Sequence, residues 1–171
     1  MSWLFALWFF LPAGVANAAP VLINKIPFVT RWNTPLDFGK SFRGIRILGN
    51  NKTIRGVVCG ALIAGGVGHG QQLLAPADFP EMSFIIGVAL GAGALLGDAL
   101  ESFFKRQKGV ASGEKWFPFD QIDYILGGIV FALPFAELTL ILCAQIVIIW
   151  FGMHLLFAYI GYKLGLKNAP I

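Results

Sequence analysis

Charged residues are scarce in this sequence, and their scarcity excludes an ordinary soluble domain. Only 13% of the 171 residues are charged, whereas 57% are hydrophobic. A soluble domain usually has about 25% charged residues and shorter apolar runs. We therefore expect most of the chain to lie in a membrane as one compact helical unit.

Cysteine is nearly absent, and the chain has no internal repeat. Cys59 and Cys143 lie inside apolar segments without a paired spacing, so we expect neither a disulfide nor a cysteine metal site. The glycines of "GALIAGGVGHGQQ" and "GVALGAGALLGD" lack the preceding strand that a dinucleotide-binding loop needs. We interpret them as positions where helices pack closely.

In place of charged stretches and cysteines, the sequence contains long apolar segments. A membrane helix needs about 20 apolar residues, and five segments reach or approach that length, at 2–23, 54–75, 82–104, 120–136 and 138–162. The first ends like a signal peptide but lacks a basic start, so we expect it to be retained as a helix. The prediction is an all-α integral membrane protein with five transmembrane helices, forming one domain over 1–171.

The basic residues indicate how the helices are oriented. All 13 Lys and Arg lie in or beside the loop after the first span, the loop after the third span, or the tail. Because basic residues concentrate in cytoplasmic loops, this pattern places the N-terminus outside and the C-terminus in the cytoplasm. The net charge of +4 then mainly reflects topology, and we expect no nucleic-acid partner. No feature of the sequence indicates an oligomeric state.

The stretch "LLGDALESFFKRQKG" brings charge into the cytoplasmic end of the third span. Asp98, Glu101, Ser102 and Lys105 have the spacing of one helix face. A carboxylate at this depth is costly unless it is paired, bound to an ion or facing water. Pairing with Lys105 or a cation of another helix is the structural alternative, but two acids on one face favour a function.

The fourth span begins with a second pair of acids, Asp120 and Asp123. Capping of a helix N-terminus explains Asp120 better than Asp123. If all four carboxylates converge, they suit a hard divalent cation, and we predict Mg²⁺.

The start of the second span offers a phosphate site. Lys52, Thr53 and Arg55 combine positive charge, a hydroxyl group and a helix N-terminus. We expect Arg43 and Arg46, further upstream, to reach lipid head groups instead. Carboxylates for a metal and cations for phosphate, in a membrane, favour phosphoryl or nucleotidyl transfer onto a lipid.

Three stretches resemble the archaeal CDP-archaeol synthases: "NTPLDFGKSFRGIRILGNNKTIRG", "GDALESFFKRQKG" and "FPFDQIDYILGG". The chain is more distantly similar to the phosphatidate cytidylyltransferases, whose S-x-x-K-R motif matches Ser102, Lys105 and Arg106. Their D-R-x-D motif is matched by Asp120 and Asp123, with Gln121 in place of the arginine and no H-G-G before it. The phosphate contacts that the arginine and the H-G-G run make in those enzymes would here come from Lys52 and Arg55, or would be absent.

The resemblance implies Mg²⁺-dependent transfer of CMP from CTP to 2,3-bis-O-geranylgeranyl-glycerol 1-phosphate, an ether-lipid phosphate. The site would face the cytoplasm at the cell membrane, among membrane lipids. We assign Asp98, Glu101, Asp120 and Asp123 to the metal. The residues assigned to phosphate are Lys52, Thr53, Arg55, Lys105 and Arg106, with Asp37 and Ser102 in support.

Three other functions fit the sequence less well. A small ion-coupled transporter could use Asp98 and Glu101, but transporters often carry internal repeats and bind near the membrane midplane. A non-catalytic scaffold would not need four aligned carboxylates. A CDP-alcohol phosphotransferase would carry a D-G-x-x-A-R run, which this sequence lacks.

Overall fold

The computed structural model describes residues 2–24, 26–74, 82–111 and 114–165. Lys25, Lys167 and the predicted loop at 76–81 lie outside the described residues. The elements in chain order are α1 (Trp3–Ile23), α2 (Pro27–Thr30), β1 (Ser41–Phe42), β2 (Ile45–Arg46), α3 (Ile54–Leu74), α4 (Phe84–Gln107), α5 (Phe119–Ala132) and α6 (Leu140–Lys163).

Four of these helices, α1, α3, α4 and α6, are long and apolar enough to cross a membrane. Apart from one short hairpin, the regular secondary structure of the described residues is helical. Helix α5 has 14 residues, a length of about 21 Å at 1.5 Å per residue. It ends before Pro134, which lacks the N–H that a continuing helix would use, so the helical part is shorter than the predicted span 120–136. The fifth crossing and the orientation stay predictions.

Helix α4 lies at the centre of the bundle, packed against α1, α3 and α5, while α6 packs against α1 and α5. Glycines set the close approaches, as predicted. Gly87 and Gly91 lie against Ala64 of α3, and Gly97 lies against the backbone of Asp123 in α5. A Cβ atom on Gly97 would collide with the carbonyl oxygen of Asp123. Glycine at this position therefore lets two acid-bearing helices touch.

The apolar core fixes the rotation of α5 about its own axis. Phe10, Leu90, Ile125 and Ile146 are fully buried in a cluster contributed by α1, α4, α5 and α6. The buried Tyr124 hydroxyl donates to the carbonyl oxygen of Trp150 in α6 at 3.1 Å. Since Tyr124 is directed towards α6, its neighbour Asp123 is left on the side of α4.

The loop before α3 is organised around Asp37. The Asp37 carboxylate accepts from Nη2 of Arg46 at 2.8 Å and from the backbone N–H groups of Gly39, Leu48 and Gly49. Burial alone would raise the pKa of Asp37, but these hydrogen bonds outweigh it and bring the pKa to about 2. The expectation that Arg46 reaches lipid head groups is wrong, because Arg46 pairs with Asp37.

A short hairpin, a ring contact and a backbone hydrogen bond connect this loop to the bundle. Strands β1 and β2 are antiparallel, with Arg43 and Gly44 both at positive φ in the turn, as a tight hairpin requires. The Phe42 ring lies 6.1 Å from that of Phe103 in α4. The N–H of Leu36 donates to the carbonyl of Lys52 at 2.8 Å, so the Asp37 loop lies beside the chain entering α3.

Candidate active site

Three of the four predicted acids meet between α4 and α5. Asp98, Glu101 and Asp123 each offer one carboxylate oxygen, and these oxygens all lie within 4.8 Å of one another. We call these three residues the carboxylate cluster. The close contact at Gly97, one residue before Asp98, allows side chains of different helices to approach this closely.

Two lysines neutralise part of the negative charge. Lys52 Nζ lies 2.5 Å from Oδ2 of Asp98, and Lys105 Nζ lies 2.5 Å from Oδ1 of Asp120 and 3.7 Å from Oε1 of Glu101. When all four carboxylates are ionised, two lysines leave two negative charges uncompensated. Within the described residues, Oε1 of Glu101 is buried without a hydrogen-bond partner. Buried charge of this kind needs a further cation or a proton.

Asp120 makes different contacts from the other three acids. Its second oxygen, Oδ2, accepts from the backbone N–H of Trp116 at 2.6 Å, so its two oxygens connect Lys105 with the α4–α5 loop. The three-acid group found among the described residues does not include Asp120. Its assignment as a metal ligand stays a prediction, and the structure gives it partners that a positioning residue would have.

The start of α3 is built by two of the predicted phosphate-binding residues. Thr53 Oγ1 accepts from the N–H of Gly56 at 3.1 Å, which caps the helix. The buried Arg55 donates from Nη2 to Oδ1 of Asn24 at 2.5 Å, joining α3 to the end of α1.

Polar cavities run from this helix start to the carboxylate cluster. The larger, about 380 Å³, is lined by Thr30, Thr53, Arg55 and four asparagines, Asn24, Asn33, Asn50 and Asn51. We call it the asparagine pocket. A smaller cavity of about 60 Å³ shares Asn24, Asn51 and Thr53 with it and extends to Lys52 and Asp98. The polar space therefore ends at one member of the cluster.

Ser102 and Arg106 complete the predicted set. Ser102 is buried in α4. Arg106 donates from Nη2 to the carbonyl oxygen of Ala111 at 3.1 Å, so it holds the loop that follows α4.

An apolar groove of about 750 Å³ borders the other two cluster members. It lies along α4 and α5, and its lining combines Glu101 and Asp123 with Leu96, Gly97, Leu100, Phe104, Lys108, Trp116, Phe119, Ile122, Leu126, Gly127, Val130 and Phe131. Leu100, Leu126 and Val130 are more than half exposed. The groove is therefore open at the side, where a membrane protein contacts lipid.

Sequence reasoning missed several residues of these cavities. Lys108 follows Gly97, Glu101 and Phe104 at helical spacing, so a longer search along that face of α4 would have found it. Asn24, Asn33 and Asn50 lie outside the long helices and carry no periodic signal.

The comparisons with known proteins identify the family. A sequence profile described as CarS-like, CDP-archaeol synthase, matches residues 2–171. The chain belongs to the CDP-archaeol synthase family. Among the family's curated members, the CDP-archaeol synthase of Methanospirillum hungatei is 36% identical over 161 residues, covering 87% of this chain and 96% of that protein. The one from Methanocaldococcus jannaschii is 35% identical, covering 95% and 94%.

A solved structure agrees with the CDP-archaeol synthase assignment. It is described as an intramembrane enzyme for archaeal membrane lipids biosynthesis. It superposes with a TM-score of 0.77 at 28% identity, over 91% of this chain and 94% of that one. The chain is thus an enzyme of lipid biosynthesis in a membrane, a cytidylyltransferase, and family membership does not favour the transporter alternative.

Proposed function

We propose that this enzyme transfers CMP from CTP to the phosphate of 2,3-bis-O-geranylgeranyl-glycerol 1-phosphate, giving CDP-archaeol and pyrophosphate with Mg²⁺. One observation carries the proposal beyond family membership. The small cavity that continues the asparagine pocket reaches Asp98, and the apolar groove reaches Glu101 and Asp123 of the same cluster. A nucleotide in the pocket and a membrane lipid in the groove could therefore both reach the cluster.

The nucleotide side is the asparagine pocket and the cavity that extends from it. Amide side chains can both donate and accept hydrogen bonds, as the polar edge of a cytosine requires. Lys52, Thr53 and Arg55 lie between the asparagines and Asp98, where a triphosphate reaching towards the cluster would pass. We infer that CTP binds with its base among the asparagines and its phosphates towards Asp98.

The residues of the cluster fit Mg²⁺. Their donor atoms are all carboxylate oxygens, which hard divalent cations prefer, and the uncompensated charge around them is close to that of one such ion. Asp98, Glu101 and Asp123 would hold the metal, directly or through water. A bound Mg²⁺ would offset negative charge on the reacting phosphate groups.

The lipid side is the apolar groove. Its open side admits long hydrocarbon chains from the membrane, while Glu101 and Asp123 lie in its wall. A lipid with its chains in the groove would present its phosphate near the cluster. The site would face the cytoplasm of the cell membrane, since the charged ends of α3 and α4 surround it and cytoplasmic loops carry the basic residues.

The proposed reaction does not require a strong general base. An oxygen of the lipid phosphate attacks the α-phosphorus of CTP, the bond from that phosphorus to the bridging oxygen breaks, and pyrophosphate leaves. The nucleophile is already an anion at neutral pH. Holding the two phosphates in line and stabilising their charge can therefore supply most of the rate.

Purified protein incubated with CTP and the ether-lipid phosphate tests the proposal. We expect a CDP-lipid in the presence of Mg²⁺ and none after chelation of divalent ions. Replacing CTP by ATP should lower the rate strongly, because the asparagine pocket is proposed to read the base. Folded protein that forms no CDP-lipid would contradict the function. Equal use of ATP would contradict only the nucleotide assignment.

A further inference from the structure

Lys108 lies at the loop end of the apolar groove, where no role has yet been assigned to it. Gly97, Glu101, Phe104 and Lys108 follow one another at successive spacings of four, three and four residues, and all four line the groove. Lys108 is the first residue after α4, seven residues beyond Glu101, a separation of about 10 Å at the helical rise. Its flexible side chain lies at the same groove as Glu101 and Asp123.

The other basic residues near the site already have partners. Lys52 pairs with Asp98, and Lys105 with Asp120 and Glu101, while Arg106 donates to a backbone carbonyl. Lys108 is exposed, and no carboxylate among the described residues forms a salt bridge with it. Its ammonium group lies over the Trp116 ring, 5.1 Å from the ring centre. This is a cation positioned by an aromatic face and left without an anion.

A lipid phosphate in the groove would need a cation to bind it at this end. Its other ionisable lining residues are Glu101 and Asp123, and both repel a phosphate. Lys108 is the only basic residue among the described residues that line it. A lysine supplies a compact positive charge, and the Trp116 ring, which also lines the groove, lies under that charge.

We propose that Lys108 binds the phosphate of the lipid substrate and thereby places it beside the carboxylate cluster, with Trp116 positioning the ammonium group. The assignment rests on the proposed function, since it takes the groove to hold the lipid. In this assignment, the residues at the start of α3 bind the phosphates of the nucleotide, and Lys108 binds the phosphate of the lipid.

Lys163 provides a matched control. It lies at the end of α6 with its ammonium group over the Tyr159 ring, 5.7 Å from the ring centre. It too is an exposed lysine on an aromatic ring at the end of a long apolar helix, but it does not line the groove. If Lys108 merely contacted membrane head groups, substitution of either lysine would have the same effect.

The kinetic test varies CTP and the lipid phosphate separately for wild type, Lys108→Met, Lys108→Arg and Lys163→Met. Loss of a charge-assisted contact with phosphate should raise the KM for the lipid phosphate by about 10-fold or more in Lys108→Met. The KM for CTP should change by less than about twofold, because the nucleotide contacts are elsewhere. Lys108→Arg should recover most of the loss, and Lys163→Met should behave as wild type. An unchanged lipid KM, or equal changes for both substrates, would overturn the proposal.

A binding measurement without CTP separates this proposal from the proposed reaction. A bis-prenyl glycerol 1-phosphate and the corresponding bis-prenyl glycerol, which lacks the phosphate, are titrated into wild type and Lys108→Met. Wild type should prefer the phosphate form, and Lys108→Met should lose that preference while still binding the alcohol. Equal preference in both proteins would refute the role of Lys108 even if wild type makes CDP-lipid. A preference lost only in Lys108→Met would support it even if turnover fails.

Discussion

At the scale of single residues, the three acids of the carboxylate cluster differ in what surrounds them. Asp98 has Lys52 at 2.5 Å, and Asp123 accepts from the N–H of Tyr124 at 2.6 Å. Glu101 is buried, and its Oε1 has an ion pair with Lys105 at 3.7 Å but no hydrogen bond among the described residues. The local contacts of the three acids therefore differ, and a shared cation would add a contact common to all three.

Substituting Asp98 or Asp123 by Asn tests that reading. Each change preserves shape but removes a carboxylate proposed to hold Mg²⁺, whose charge would offset that of the reacting phosphates, so we expect kcat to fall by about 100-fold or more. The measurement is CDP-lipid formation over a range of Mg²⁺ concentrations. Glu137→Gln, at an exposed acid in the loop before α6, should behave as wild type. Wild-type turnover in both Asn variants would refute the metal assignment.

The depressed pKa of Asp37 makes the loop before α3 sensitive to acid. A carboxyl with a pKa of about 2 when folded and an ordinary value near 4 when unfolded stabilises the fold above about pH 4. That contribution, about 2 kcal/mol, is lost as the pH falls from about 4 to 2. In Asp37→Asn it should be missing at every pH.

Hydrogen exchange of the segment 37–49 measures this directly. At pH 6 the segment should exchange faster in Asp37→Asn than in wild type, and the difference should shrink towards pH 2. Peptides from α3 serve as the internal control. Equal protection in the two proteins at pH 6 would mean that the carboxylate does not hold the loop.

At the scale of helices, the distance between α4 and α5 decides whether the acids can meet. Gly97→Ala would drive a methyl group into the carbonyl of Asp123 and push the helices apart, so we expect lower thermal stability and a large loss of activity. Gly152→Ala, on an open face of α6 where a Cβ contacts nothing, should be neutral or slightly stabilising, since alanine favours helix. Thermal unfolding in detergent and turnover are the two readouts. Equal behaviour of both variants would contradict the packing argument.

The junction between α4 and α5 gives Asp120 a testable role. If Asp120 positions Lys105 and the loop, Asp120→Ala should lower kcat without changing the Mg²⁺ concentration for half-maximal activity. Asp123→Asn should raise that concentration where activity remains measurable. A rise of the same size in Asp120→Ala would instead make Asp120 a metal ligand, as the sequence predicts.

The same helices show what sequence alone could provide. Apolar length and helical spacing were enough to predict α1, α3, α4 and α6 and to put Asp98 and Glu101 on one face, because both follow from short-range periodicity. Helix α5 is shorter than the predicted span 120–136 because it ends before Pro134. The Asp37–Arg46 pair, the hairpin of β1 and β2, and the asparagine pocket depend on contacts between loops, which have no period. Helical spacing relates Lys108 to Glu101 and Phe104, but the groove that these residues line depends on the packing of α5 against α4.

At the scale of the whole molecule, the number of crossings determines which side each end of the chain occupies. In a background where Cys59 and Cys143 are replaced by Ser, single cysteines are introduced as Ser2→Cys and Lys163→Cys. With five crossings, a membrane-impermeant thiol reagent added to right-side-out vesicles should label the first and reach the second only after permeabilisation. Labelling of both from one side would mean that α5 does not cross.

The central claim is that a lipid phosphate in the apolar groove attacks CTP held at the carboxylate cluster. The most direct measurement follows two labels, one on the α-phosphorus and one on the γ-phosphorus of CTP, with the ether-lipid phosphate, Mg²⁺ and purified protein. The account predicts that the α label appears in the lipid and the γ label in pyrophosphate, in equal amounts. Transfer of the γ label to the lipid, or folded protein that releases neither product, would contradict it.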